Sequence, residues 1–221
     1  MTPQVVVLSA PSGGGKTTIA HALLKGRPDL GYSVSATTRA PRAAERDGVA
    51  YYFVPRPEFE RRVRAGELLE WAEYAGELYG TLRGEVERVL KTGRHAVLNI
   101  DVQGARQVRR AYPPPRSVSV FVLPPSAQVL VQRLRGRNTE GGTALARRLE
   151  QAVEELQDAA RYDHVVVNDT LEHAVAQIGR IIDGAVPAPS GRDGLTSRLE
   201  SLARDVAAQA AQLRRRGQET T

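Results

Sequence analysis

The 221-residue chain has no cysteine, one methionine, one tryptophan and three phenylalanines. Without thiols it forms neither disulfides nor zinc–thiolate sites, and a cysteine nucleophile is excluded. That lack suits a reducing cytosol. Long apolar runs are also missing: no stretch approaches the roughly 20 residues that a membrane helix needs. Met1 to Gln4 lead straight into Val5-Val6-Val7-Leu8, with no basic segment and too short an apolar run for a signal peptide. These absences predict a soluble, cytoplasmic protein with no membrane partner. Aromatic residues make up only 5% of the chain, which sets off the cluster Tyr51-Tyr52-Phe53. What is present is ordinary for a folded domain, 41% hydrophobic and 25% charged, so disordered and collagen-like readings fall away. The formal net charge of +6 and a pI near 10.0 fit a polyanionic partner: a nucleotide, a nucleic acid or a membrane surface. Composition does not choose among them.

Apolar, β-branched runs at Val5–Leu8, Ala96–Ile100, Val118–Leu123 and Val165–Val167 read as strands buried on both faces. After each comes a helical pattern; the last three are Val102–Ala111, Ser126–Arg135 and Leu171–Asp183. The alternation predicts a parallel sheet covered by helices. Between Ser33 and Gly93 the text changes to shorter pieces, with strands expected at Tyr32–Thr37 and Tyr51–Val54. Two short helices there carry Phe59 with Val63, and Val86, Val89 and Leu90. This reads as an α+β insertion. A second, highly charged helical insertion runs from Pro125 to about Gln151, interrupted by Gly141-Gly142. The expected division is a core of 1–32, 96–124 and 152–186, a first insertion at 33–95 and a second at 125–151. Residues 187–221 form a linker and a helical tail.

Ala10-Pro11-Ser12-Gly13-Gly14-Gly15-Lys16-Thr17 fits the phosphate-loop pattern, with Ala10 in place of its first glycine, and Thr18 follows. Small residues let the backbone wrap an anion with its N–H groups turned inward, and a helix N-terminus faces the phosphates. Lys16 is placed to reach the β- and γ-phosphates of a nucleoside triphosphate and Thr17 to ligate Mg²⁺. The loop sits between a buried strand and an amphipathic helix, the context its chemistry requires. It says nothing about the acceptor. Asp101 ends the strand Ala96–Ile100, where a carboxylate faces either a metal or substrate, or caps the next helix.

Ser33-Val34-Ser35-Ala36-Thr37-Thr38-Arg39-Ala40-Pro41-Arg42 resembles the guanylate kinase signature. Five further segments are similar to that family's motifs in collinear order: Asp47 to Val54, Glu70-Trp71-Ala72, Tyr79-Gly80-Thr81, Ile100 to Gly104 and Arg133 to Arg137. Val167-Asn168-Asp169 completes the set. The resemblance spans Val5 to Val186 and implies a three-layer α/β nucleoside monophosphate kinase core around the phosphate loop, with a parallel sheet. The 33–95 insertion would then bind GMP and the 125–151 insertion would be a helical lid. It further implies Mg²⁺-dependent transfer from ATP to GMP, by a monomer or homodimer. The phosphate loop would supply ATP binding through Ala10 to Thr18, with Asn168 near the base.

The implied GMP residues make chemical sense. Guanine donates from N1 and its 2-amino group and accepts at O6; Glu70 accepts from both donors, and Ser35 and Thr81 donate to O6. Adenine would leave that carboxylate unpaired, a costly outcome. Arg39 and Arg42, with the phenols of Tyr51 and Tyr79, would hold the GMP phosphate through charge-assisted bonds. Asp101 would touch GMP and the metal. Lys16, Arg39, Arg133, Arg137 and Arg148 would carry catalysis by neutralising charge on the transferring group. Tyr52 is assigned to packing, and Arg135 and Arg147 to a solvated face.

Two departures stand out: Ala10, and Asn99 where the family often carries Asp. Three rivals are weaker. A kinase for another base does not explain Glu70 with Ser35 and Thr81. A non-catalytic interaction module of the same family would lack the intact Gly15-Lys16-Thr17. A nucleic-acid binder rests only on net charge and Arg214-Arg215-Arg216. In the tail, Leu195, Leu199, Leu202, Val206 and Leu213 share one helical face. So short a helix is marginal alone and would order by docking on the core or on another chain.

Overall fold

The computed structural model describes residues 2–74, 76–136, 142–187 and 193–218. Two compact units divide the chain: Met1–Val7 with Leu23–Val118, and Leu8–Ala22 with Ser119–Thr221. The first strand, β1 (Val5–Ser9), is fully buried and leads through the glycine-rich turn into helix α1 (Lys16–Gly26). Then follow β2 (Leu30–Tyr32), β3 (Ser35–Thr37), β4 (Tyr52–Phe53), α2 (Arg56–Arg64), β5 (Leu68–Tyr74), β6 (Glu77–Leu82) and α3 (Arg83–Lys91). The chain continues with β7 (His95–Asn99), α4 (Val102–Ala111), β8 (Ser117–Leu123), α5 (Ala127–Arg135) and α6 (Gly142–Gln157). After a 3₁₀ turn at Ala159–Arg161 come β9 (His164–Val167), α7 (Leu171–Ile182) and α8 (Asp193–Gln218).

Two sheets result. One has the order β2-β7-β1-β8-β9, with β2 parallel to β7 and β8 parallel to β9. The β-branched runs explain it, because residues buried on both faces need no alternation. The other has the order β4-β3-β6-β5 and lies wholly in the first unit; β6 pairs antiparallel with both β3 and β5. Its small core is Ala36, Phe59, Leu68 and Leu78, with Phe59 supplied by α2. The expected single strand Tyr32–Thr37 is a correction. The chain breaks at Ser33-Val34, so that Leu30–Tyr32 joins the parallel sheet and Ser35–Thr37 the antiparallel one. At the break, the Ser33 amide still donates to the Val97 carbonyl on β7, which extends the parallel ladder by one bond before β3 departs.

Helix starts follow local chemistry. Ser126 accepts from the Val129 amide and Thr170 from the His173 amide, capping α5 and α7. The charged insertion is two helices, and α6 passes the expected end at Gln151 because Leu145, Leu149, Ala152 and Leu156 continue one buried face. Tail helix α8 packs along α6 and against α5, burying Leu199, Leu202, Val206 and Ala210. Leu195 and Leu213, at its ends, are only half-buried. Beyond the buried seam, Arg214 forks onto Glu150 of α6 at 2.6 Å to each oxygen.

Candidate functional site

The glycine-rich turn has the geometry its sequence requires. Gly13 and Gly15 take φ of 84° and 94°, a region that favours glycine. A turn bond joins the Gly14 amide to the Pro11 carbonyl at 2.8 Å, and a side chain on Gly14 would meet that same carbonyl. Ala10, the departure from the usual glycine, is accommodated as a buried residue. Lys16 opens α1 half-buried, and the Thr17 and Thr18 side chains are exposed. Loop and helix start together form an anion cradle.

Three side chains from the same unit shape this cradle. The buried Asn168 amide donates to the Gly14 carbonyl at 2.9 Å, and Arg133 of α5 donates to the Asn168 carbonyl at 3.2 Å. A second Arg133 nitrogen lies 3.4 Å from the Gly14 carbonyl. The Glu155 carboxylate on α6 accepts from the Ser12 amide at 3.0 Å, a contact the sequence reading missed. Arg148 is half-buried on α6, which lies in this unit. Arg137 lies outside the described residues. Asn168, expected near a base, is instead seated against the loop.

In the other unit, register explains why Ser35, Thr81 and Glu70 meet. Thr81 faces Ser35 across the β3–β6 pair and Glu70 across the β5–β6 pair. All are buried: 8% exposed for Ser35, 5% for Glu70 and 0% for Thr81. The Thr81 hydroxyl donates to a Glu70 oxygen at 2.6 Å, so donation to a guanine O6 would require exchanging that bond. The other Glu70 oxygen points at Gly104 of α4, where a Cβ would stand 2.3 Å away. Gly104 therefore packs directly against the Glu70 carboxylate, and only its glycine identity within a motif hinted at it. Helix α4 is held there by Gln107, whose side chain exchanges hydrogen bonds with the Trp71 amide and carbonyl as a strand would.

Asp101 caps α4, with one oxygen accepting from the Gly104 amide at 2.8 Å. The capping alternative is thus realised, and one carboxylate oxygen is used by it. Nearby, Asn99 hydrogen-bonds Tyr32, whose hydroxyl is pushed up to about 12, chiefly by burial.

Arg39 and Arg42 sit in the loop after β3. The Arg39 guanidinium donates to both Glu45 oxygens at 2.9 Å and to the Ala40 carbonyl at 2.7 Å. It lies 5.7 Å from the Tyr51 ring centre and 5.8 Å from that of Phe53. Tyr51 meets Tyr79 edge-on at 6.0 Å. Burial works against the Arg39 charge, yet the hydrogen bonds it donates to Glu45 and Tyr79 outweigh that and raise its pKa. Burial likewise raises the Tyr51 phenol, which therefore stays protonated and able to donate. Arg42 is exposed.

Among the described residues no group of three His, Cys, Asp or Glu side chains could hold a metal, and no helix is long and apolar enough to cross a membrane. The Thr17 hydroxyl, exposed in the first turn of α1, is a hard oxygen of the kind that Mg²⁺ accepts.

A parallel sheet whose first strand feeds a phosphate loop, plus an antiparallel insertion with a buried carboxylate and paired arginines, defines a nucleotide-dependent phosphotransferase. A profile of guanylate kinase matches residues 2–185. Guanylate kinase of Symbiobacterium thermophilum is 51% identical over 178 residues, covering 80% of this chain and 83% of that protein. That of Synechocystis is 48% identical over 81% of this chain and 93% of its own. The crystal structure of guanylate kinase from Anaplasma phagocytophilum superposes with a TM-score of 0.68 at 35% identity, covering 90% of this chain and 95% of that one. The chain belongs to the guanylate kinase family.

Proposed function

We propose that this kinase transfers the terminal phosphate of Mg²⁺-ATP to GMP in the cytoplasm, with the residue roles that follow. One observation carries the acceptor assignment: a carboxylate, Glu70, buried to 5% exposure on β5 of the antiparallel sheet, with Thr81 opposite it on β6 and Ser35 opposite Thr81 on β3. A buried charge needs donors, and the N1 and 2-amino groups of guanine are two that adenine lacks. The Ser35 hydroxyl is available to donate to O6.

Arg39, Arg42, Tyr51 and Tyr79 bind the GMP phosphate. The cradle Ala10 to Thr18 binds the ATP phosphates, with Lys16 reaching the β- and γ-oxygens. Thr17 and Asp101 would hold Mg²⁺, which supplies charge neutralisation on the phosphates. Arg133 and Arg148 neutralise charge on the transferring group, joined by Arg137 from the lid. Asn168 supports ATP binding through the loop it braces. No covalent intermediate on the protein is needed: alignment and electrostatic stabilisation suffice.

A coupled assay of ADP formation with GMP, AMP, UMP and dTMP as acceptors tests this reading. GMP should be preferred by at least about a thousandfold in kcat/KM, the scale set by a buried polar mismatch. Comparable turnover of AMP would remove Glu70 from the base site.

A further inference from the structure

Glu45 belongs to no part of the site as assigned so far, yet it is bonded through both its amide and its carboxylate in the loop after β3. Its amide donates to the Arg42 carbonyl at 2.9 Å, and its carboxylate accepts from the Arg42 amide at 2.8 Å. These two bonds close a ring that fixes Glu45 on its own turn. Both carboxylate oxygens then accept from one Arg39 nitrogen at 2.9 Å. The pair is largely shielded, with side chains 19% and 20% exposed. Its hydrogen bond from the Arg42 amide, set against a small desolvation penalty, and the Arg39 charge keep the carboxyl below its usual range, so it is ionised at neutral pH.

A carboxylate beside a phosphate-binding arginine has two conceivable effects. By charge alone it repels the phosphate and weakens binding. As a fixed acceptor it holds the guanidinium in one orientation, against the rings of Tyr51 and Phe53, where a phosphate can meet it. The closed ring decides between them: a group pinned by two backbone bonds is built to hold, not to swing aside. We propose that Glu45 is a positioning residue that pre-orients Arg39 for the phosphate of the nucleoside monophosphate. The proposal rests on the reading of Arg39 as a phosphate ligand.

The test is steady-state kinetics on full-length Glu45→Ala, Glu45→Gln and Arg39→Ala, with guanosine as a competitive inhibitor against GMP. Guanosine carries the base and lacks the phosphate. Glu45→Ala should raise KM for GMP by about tenfold, and Glu45→Gln, which keeps one acceptor oxygen, by about threefold. KM for ATP and the inhibition constant of guanosine should hold within about twofold in both variants. A lower KM for GMP in Glu45→Ala would mean that repulsion dominates and would overturn the proposal. Equal weakening of guanosine and GMP would also overturn it, since Glu45 would then merely support the fold of the insertion. Arg39→Ala separates the underlying reading: if it leaves KM for GMP unchanged, Arg39 is not a phosphate ligand. If it raises KM while Glu45→Ala does not, the ligand assignment stands and the positioning role fails.

Discussion

Glu70 and Gly104 pack as one unit, and in the proposed guanine site they would act together. The carboxylate spends one oxygen on the Thr81 hydroxyl and turns the other toward a helix position that has no side chain. Replacing Glu70 with Gln puts an amide donor where guanine also donates. The expected loss in kcat/KM for GMP corresponds to about 2–4 kcal/mol, read from initial rates at varied GMP. A fall of less than about threefold would place guanine elsewhere. Gly104→Ala makes a less obvious prediction. Gly104 lies in the first turn of α4, where Ala is helix-compatible and favoured over Gly by up to about 1 kcal/mol, which offsets the displacement of Glu70, so the thermal midpoint should change little. The new methyl would stand 2.3 Å from the Glu70 oxygen and 2.8 Å from its carboxyl carbon, so the carboxylate must move. KM for GMP should therefore rise about tenfold, a loss of recognition without a loss of stability. A variant with unchanged KM would show that Glu70 has slack the packing does not suggest.

At the scale of elements, what could be read in advance depended on how far apart the partners lie in sequence. Strands β1, β7 and β8 were legible because their apolar, β-branched runs are buried on both faces and need no alternation; β9, expected to be the same, is an edge strand whose burial alternates, and only its valines marked it. The phosphate loop was legible because its chemistry is local. Strands β5 and β6 escaped detection as strands: Glu70 is a buried charge inside β5, so the hydrophobic alternation is broken at the residue that matters. The break at Ser33-Val34 escaped because both sides have strand composition, and only the partners differ. Glu155 could not have been found, since it meets Ser12 from 143 residues away. The loop itself offers an element-scale prediction. A Cβ on Gly15 would lie 2.2 Å from the Asn168 amide nitrogen, and its φ of 94° strains any other residue. Gly15→Ala should displace Asn168, leave the Gly14 carbonyl only its long contact with Arg133 and cost about 1–3 kcal/mol of stability. In the same variant KM for ATP should rise by at least about tenfold while KM for GMP changes little. If both KM values rise together, the loop and the GMP insertion are coupled more tightly than their separate packing implies.

For the whole molecule the open issue is the helix beyond the family match, which ends at residue 185. Helix α8 is amphipathic, and its seam of Leu199, Leu202, Val206 and Ala210 is covered by α6 and α5 of its own chain. Docking, not intrinsic propensity, orders a helix of this kind. The Arg214–Glu150 pair is exposed and screened, so the apolar seam carries the attachment. Every residue proposed to touch substrate lies before Val186, which predicts chemistry that does not require α8. Yet α6 carries Arg148 and braces the loop through Glu155, so its packing matters to the ATP side. Truncation after Val186 exposes the face of α6 that α8 covers. If the lost burial is about 2 kcal/mol, the thermal midpoint should fall by about 4–8 °C for a chain of this length. Well below that midpoint, kcat and KM for GMP and ATP should stay within about threefold of full length, under roughly 0.7 kcal/mol of barrier. The measurements are thermal unfolding, steady-state kinetics and molecular mass by light scattering on both proteins. An unchanged midpoint would mean the seam contributes nothing net once the entropy of ordering α8 is counted. A collapse of activity at unchanged mass and midpoint would mean that α8 is part of the catalytic apparatus, and the boundary at Val186 would be wrong.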